Sequence, residues 1–109
     1  MSPLRGIAKG NRFARLVAAY LGTEPRALNG SMDRGDLVHP TWTVEVKAPG
    51  RGQPLNLSTA MNEARAEAAN AGTDLYAVVS RRTGYPIGEA FFTMPLEMAR
   101  RHVPGLDLR

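Results

Sequence analysis

The sequence of 109 residues contains no cysteine, which excludes disulfide bonds and metal sites built from thiolates. It has no apolar run near the ~20 residues that a membrane-spanning helix requires, so no membrane partner is expected. Its first residues lack the apolar core of a secretory signal peptide. Together these absences favour a protein of the cytoplasm.

Lysine is nearly absent as well. The chain has only two lysines, Lys9 and Lys47, against twelve arginines, and its net charge is +4. Arginine forms bidentate hydrogen bonds with phosphate groups, so a basic, arginine-rich surface is compatible with a nucleic-acid partner. A moderately basic protein without any polyanionic partner is the alternative.

The chain reads as one small domain, with residues 1–10 forming a basic arm, residues 11–103 the folded part and residues 104–109 a short tail. Hydrophobic periodicity and turn residues predict an α/β fold in which helices flank a mixed central sheet. The predicted order is helix, three strands, helix, two strands, helix. The helices are predicted at residues 11–21, 58–71 and 96–102, and the strands at residues 26–28, 37–38, 42–47, 75–80 and 87–93.

The second predicted helix carries a narrow apolar stripe that consists largely of alanine. Its members are Leu57, Ala60, Met61, Ala64, Ala68 and Ala71. Such small side chains imply that this helix approaches a sheet closely. Residues 75–80 form a near-continuous apolar run, which is typical of a central strand covered on both faces.

The polar residues of the strand at 42–47 form the most suggestive chemical pattern. Trp42, Val44 and Val46 alternate with Thr43, Glu45 and Lys47. Side chains two residues apart on a strand lie on one face, about 6–7 Å apart, so Glu45 and Lys47 can act on one substrate. Asp36, which precedes a turn at His39-Pro40, can meet Glu45 at one divalent cation. The alternative is an exposed strand face that simply alternates Thr, Glu and Lys.

An acid followed by Glu-x-Lys on one strand face resembles the PD-(D/E)-x-K nucleases. The wider sequence resembles the small phage Holliday-junction-resolvase-like endonucleases of that superfamily, over roughly residues 11–95. The specific parts of the resemblance are Gly35-Asp36 and Glu45-Val46-Lys47. It implies a restriction-endonuclease-like core in a phage-encoded endonuclease. Such an enzyme would hydrolyse DNA phosphodiesters, preferably in branched DNA, and act as a homodimer in the host cell.

The resemblance also implies specific roles for residues at the site. Asp36, Glu45 and Lys47 would be catalytic. Asp36, Glu45 and the backbone carbonyl of Val46 would hold Mg²⁺, for which Mn²⁺ is the expected substitute. A polar residue of the second helix, Asn62 or Glu63, would support the site, unless both residues belong only to the polar surface of that helix.

Four arginines are expected to contact DNA phosphates: Arg34, Arg51, Arg81 and Arg82. Arg51 lies in a loop rich in proline and glycine, and a bare loop is the alternative there. Arg81 and Arg82 follow the central strand at 75–80, where a solvated turn is the alternative.

One position departs from the pattern of this family. The family usually carries a glutamate in its first helix that helps to hold the metal, and the matching position here is Ala14. Glu24 or Asp33 would have to substitute for it. Two further functions therefore stay open: a catalytically inactive, basic DNA-binding module of the same fold, and a non-catalytic phage interaction protein.

Overall fold

The computed structural model describes residues 4–26 and 35–109, with the backbone alone for residues 4–11. The helices are α1 (Leu4–Leu21), α2 (Leu57–Ala71) and α3 (Leu96–His102), and the strands are β1 (Glu24–Pro25), β2 (Leu37–Val38), β3 (Trp42–Lys47), β4 (Leu75–Ser80) and β5 (Phe91–Thr93). This order confirms the predicted sequence of elements. None of the described helices is both long and apolar enough to cross a bilayer.

The central sheet is mixed, as predicted, and has the strand order β3-β4-β5. β3 and β4 run parallel with Glu45 opposite Val78, and β5 is antiparallel to β4. β1 and β2 form a separate antiparallel pair. The N–H of Asp36 donates to the carbonyl of Val44 at 2.9 Å, which ties that pair to β3.

Helix α2 makes the crossover that allows β3 and β4 to run parallel. Its start is capped by Asn56, whose side chain accepts a hydrogen bond from the Thr59 N–H, and it ends at Gly72 in the left-handed conformation. The buried Ala60 and Ala64 of the alanine stripe pack in one cluster with Val78 of β4. The small side chains therefore bring α2 close to the sheet, as the sequence predicted.

Helix α1 belongs to the second core cluster of the domain. The buried members of this cluster are Phe13, Val17, Ala18, Leu37, Val44 and Val79. Side chains alternate along a strand, so Val44 and Glu45 point to opposite faces of β3. The polar face is covered as well, because Thr43 is only 1% and Glu45 only 5% exposed. The alternative of an exposed polar strand face is therefore wrong, since the sequence could not show that α2 lies over that face.

Several predicted bounds also differ from the structure. α1 begins at Leu4 rather than at Asn11, so residues 4–10 of the predicted arm are helical in backbone. Leu4, Ile7 and Ala8 continue the helical spacing of apolar residues. Gly6 and Gly10 obscure this pattern in the sequence. β1 lies at Glu24–Pro25, before the strand predicted at 26–28, of which residues 27 and 28 lie outside the described residues.

The last strand is shorter than predicted. A 3₁₀ turn at Ile87–Glu89 follows Pro86, and β5 is confined to Phe91–Thr93. In contrast, the predicted bounds of β3, β4 and α3 are all confirmed. In the sequence, β3 shows regular alternation, β4 is a near-continuous apolar run, and α3 has clear residues at both of its ends.

Candidate functional site

Three carboxylates converge between β3 and α2. One oxygen each from Glu45, Glu63 and Glu67 lies within 4.8 Å of the other two. Glu63 and Glu67 are four residues apart on α2, so they share one face of the helix. Glu45 and Glu67 are both 5% exposed. This buried group of acids could hold a metal ion.

Lys47 is the cation of this group. Its Nζ donates a hydrogen bond to Oε2 of Glu63 at 2.9 Å and lies 3.6 Å from Oε2 of Glu45. About a third of its side chain stays exposed, so Lys47 stands at the rim of the cluster. The expected proximity of Glu45 and Lys47 on one strand face is therefore found, and the helix adds a third partner.

Asp36 contacts Glu45 from the β2 side. Oδ2 of Asp36 accepts a hydrogen bond from the N–H of Val46 at 2.7 Å. Its carboxyl group is also hydrogen-bonded to the side chain of Glu45. Because the N–H and C=O groups of one strand residue point to the same side, the Val46 carbonyl faces this edge of β3 too. The three predicted metal ligands thus lie together, although the tightest group of acids contains Glu63 and Glu67 rather than Asp36.

Gly35 fixes the position of Asp36. Its φ angle is +93°, a region that L-residues with a side chain rarely adopt. A Cβ at this position would lie 2.9 Å from Cγ2 of Thr43. The pair Gly35-Asp36 therefore needs glycine both for its backbone conformation and for its close approach to β3.

Burial and crowding control the protonation of Glu45. The pKa of Glu45 is raised to about 11, most of all by desolvation and then by hydrogen bonds to Asp36 and Glu63. The negative charges of Asp36 and Glu67 contribute to the same rise. In the absence of a bound cation, Glu45 is consequently protonated at neutral pH.

The groups around Glu45 respond in the opposite sense. Hydrogen bonds from Glu45 and then Lys47 lower the pKa of Glu63, so the shared proton resides on Glu45. Burial alone would lower the pKa of Lys47, but its hydrogen bond to Glu63 and the nearby carboxylates raise it overall. Lys47 is therefore a permanent positive charge beside the acids.

The donor set fits a hard divalent cation. It consists of carboxylate oxygens, and within the described parts of the chain no nitrogen or sulfur ligand joins the group. The repulsion that forces a proton onto Glu45 is the repulsion that a cation would relieve. Glu45, Glu63 and Glu67 are thus suited to replace that proton with a metal ion.

Sequence reasoning found one of the two α2 acids. Glu63 was a candidate and joins the site, whereas Asn62 is exposed and lines a separate surface groove with Arg65 and Tyr76. Glu67 was not a candidate. A signal for it did exist, because Glu67 falls three residues after Ala64, on the alanine stripe that packs against the sheet.

Two of the predicted DNA-binding arginines have structural partners. The guanidinium of Arg81 donates a hydrogen bond to the carbonyl of Pro49 at 2.8 Å. The backbone N–H of Arg81 donates to the carbonyl of Lys47 at 3.0 Å. Arg81 therefore fixes the loop that follows β3. Arg82 lies over the ring of Tyr85 and makes an ion pair with Glu89 at 3.7 Å.

The same two arginines line one surface groove together with Arg51, which is exposed at the loop tip. Three of the four predicted DNA contacts are thus brought to one place. Arg34 lies outside the described residues. The groove starts where β3 and β4 end, since Lys47 and Ser80 are the paired last residues of these strands.

Ala14, which stands where the nucleases that the sequence resembles usually carry an acid, lies in the core. Ala14 is 7% exposed on α1. Of the residues that would have to substitute for it, Glu24 is exposed on β1 and is not among the acids that converge with Glu45, and Asp33 lies outside the described residues. The additional acid at the site is supplied by α2.

No protein-family model, curated protein or solved structure matches this chain. Function must therefore be inferred from the chemistry of the site.

Proposed function

We propose that the protein is a metal-dependent endodeoxyribonuclease that hydrolyses DNA phosphodiesters, with Mg²⁺ as its ion and Mn²⁺ as a substitute. The observation that carries this proposal is the convergence of Glu45, Glu63 and Glu67 beside Lys47. Burying the carboxyl groups of Glu45 and Glu67 next to Glu63 is costly unless a cation compensates them. A lysine next to a cation site is suited to phosphodiester hydrolysis, because the ion can activate a water and the lysine can stabilise the charge that develops on the phosphoryl group. Branched DNA is the proposed preferred substrate.

The residues divide the chemistry between them. Glu45, Glu63 and Glu67 would hold the ion, with Asp36 buttressing Glu45 through their shared hydrogen bond. When bound, such an ion polarises the phosphoryl group and lowers the pKa of a bound water. Lys47 stays protonated and steadies the negative charge that builds up on phosphorus as water attacks and the bond to the leaving sugar oxygen breaks.

The location of the site is consistent with this proposal. Ligands of open α/β sheets bind outside the carboxyl ends of the strands. Lys47 and the groove lined by Arg51, Arg81 and Arg82 lie at the ends of β3 and β4. A DNA backbone that passes these strand ends would meet both Lys47 and the arginine side chains.

Cleavage assays with site variants test the catalytic assignment. The parent, Glu45→Gln and Lys47→Ala are incubated with linear, nicked, flap and four-way-junction DNA in Mg²⁺ and in Mn²⁺. Loss of one preorganised electrostatic group costs on the order of 100-fold or more in rate, so both variants should be nearly inactive. Glu45→Gln should remain folded, because glutamine imitates the protonated acid that occupies this buried position. A parent that cleaves together with equally active variants would show that the active site is misassigned.

Direct cation binding provides a readout that does not depend on activity. Titration calorimetry with Mg²⁺ and Mn²⁺ should give weaker binding for Glu67→Gln than for the parent, because one ligand charge is lost. Glu97→Gln is the matched control, since Glu97 is exposed on α3 and, among the residues that the structure describes, pairs with arginines of that helix alone. Equal affinities in the parent and Glu67→Gln would remove Glu67 from the site.

A catalytically inactive DNA-binding module is the second candidate, and the observation that favours it is the buried Ala14 in place of the family's first-helix acid. This alternative predicts DNA binding without cleavage under any metal condition. A protein that neither binds nor cleaves DNA would instead favour the non-catalytic interaction protein.

A further inference from the structure

The groove lined by the arginines also contains an aromatic side chain that the phosphate contacts leave unused. The groove has a volume of roughly 450 Å³, within the range of small-ligand sites. Its walls include Arg51, Arg81, Arg82 and Tyr85, together with Leu16 of α1. Tyr85 is 55% exposed. A ring so exposed in a basic groove offers a flat surface to a second flat group.

Arg82 holds this ring in place. Its guanidinium carbon lies 3.7 Å from the centre of the Tyr85 ring and 4.5 Å from the centre of the Phe91 ring. The guanidinium itself is held by Glu89, through an ion pair with its side chain and a hydrogen bond to its backbone carbonyl. The ring of Tyr85 is thereby oriented before any ligand arrives, which reduces the entropy lost on binding.

The cations of the groove differ in their freedom to bind an anion. Arg81 is committed to the carbonyls of Ala48 and Pro49, and Arg82 is partly neutralised by Glu89. Within residues 4–26 and 35–109, Arg51 makes no ion pair, and it is exposed. Arg51 is therefore the side chain best able to contact a phosphate next to the Tyr85 ring.

A phosphate beside an open aromatic ring matches one nucleotide of a single strand. Bases in a duplex are stacked on their neighbours and cannot reach a side-chain ring, whereas unpaired bases can stack on aromatic residues. We propose that this groove binds an unpaired segment of a DNA strand, with one base stacked on Tyr85 and its phosphate on Arg51. This inference rests on the proposed nuclease function and adds a substrate contact to it, because branched DNA exposes unpaired nucleotides where its arms meet.

Equilibrium binding in EDTA tests the inference without any cleavage. Fluorescence anisotropy is measured with a labelled single strand of about 15 nucleotides and with the matching duplex. Tyr85→Ala should weaken single-strand binding by roughly 5- to 100-fold and duplex binding much less, as the loss of one stacked base predicts. Tyr85→Phe keeps the ring and should bind as the parent does. Arg51→Ala should weaken binding of both DNAs and reduce the dependence on salt.

Matched controls separate the groove from the rest of the surface. Leu96→Ala removes an apolar side chain of α3 that is 79% exposed outside this groove, and Arg101→Ala removes an exposed arginine of the same helix. Both variants should bind the single strand as the parent does. The inference would be overturned if the parent did not bind the single strand. It would also be overturned if Tyr85→Ala bound the single strand as tightly as the parent, or lost affinity for the duplex to the same extent. Cleavage of DNA by the parent is measured separately. Single-strand binding in the groove can therefore be refuted while the proposed nuclease activity is supported, and the reverse.

Discussion

At the scale of single residues, Glu45 determines the character of the site. It lies on a strand whose alternation suggested an exposed carboxylate, yet it is buried beneath α2 among other acids. A carboxyl group in this position keeps its proton, because neither solvent nor a sufficient number of cations stabilises the ionised form. The same position would tolerate a negative charge only with a further cation, besides Lys47, in contact.

The raised pKa of Glu45 predicts an unusual pH dependence of stability. The folded protein holds a proton that the unfolded chain releases above pH 4.5, and the folded pKa is about 11. Since the folded state binds more protons in this window, the free energy of unfolding should be highest at the acidic end and should fall as pH rises. Urea denaturation in EDTA at pH 6 and pH 9 measures this slope. Glu45→Gln should flatten it, and Glu97→Gln should leave it unchanged. A slope of the opposite sign would contradict the assigned protonation.

At the scale of secondary-structure elements, local patterns predicted β3, β4 and α3 with their bounds because alternation, an apolar run and a helix boundary are written directly in the sequence. The pairing of α2 with the polar face of β3 is not local. It depends on how the crossover helix settles on the sheet, so Glu67 escaped notice although it interrupts an alanine stripe. Glu63 was found only as one of two polar candidates, because spacing alone could not orient the helix.

The turn into β2 yields a sharp prediction about Asp36. Gly35→Ala combines a backbone conformation that costs about 1–3 kcal/mol with a contact against Thr43. It should lower the free energy of unfolding and weaken cation binding, because Asp36 is displaced from Glu45. Gly52→Ala is the matched control, with φ of +74° but open space around its Cβ. Urea denaturation and calorimetry compare the two variants, and equal losses in both would mean that the contact with Thr43 is unimportant.

At the scale of the whole molecule, the acids and the apolar core occupy opposite faces of β3. A groove lined by Val17, Tyr20, Leu21, Ile87 and Phe92 lies between α1 and β5 and is almost wholly apolar. Exposed apolar surface of this kind is what protein interfaces cover. It is compatible with the homodimer that the nuclease resemblance implies.

Light scattering provides the test of that assembly. Cutting two related strands of a branched DNA requires two active sites, which a two-fold symmetric dimer supplies. The measured mass should therefore be twice 11.8 kDa, either for the free protein or on junction DNA. A monomeric mass in both states would contradict the dimer without affecting the assignment of the acids.

The acids Glu45, Glu63 and Glu67 all belong to one continuous stretch, from β3 through α2, and this has a consequence for local opening of the fold. Separation of α2 from β3 would break the proposed cation site apart, so in the presence of the ion the opening free energy should include the free energy of its binding. At a cation concentration of about 100 times Kd this adds about 2.7 kcal/mol. Amide hydrogens that exchange through this opening should then exchange about 100-fold more slowly in Mg²⁺ than in EDTA. Those of α3, which contributes no ligand, should exchange at the same rate in both.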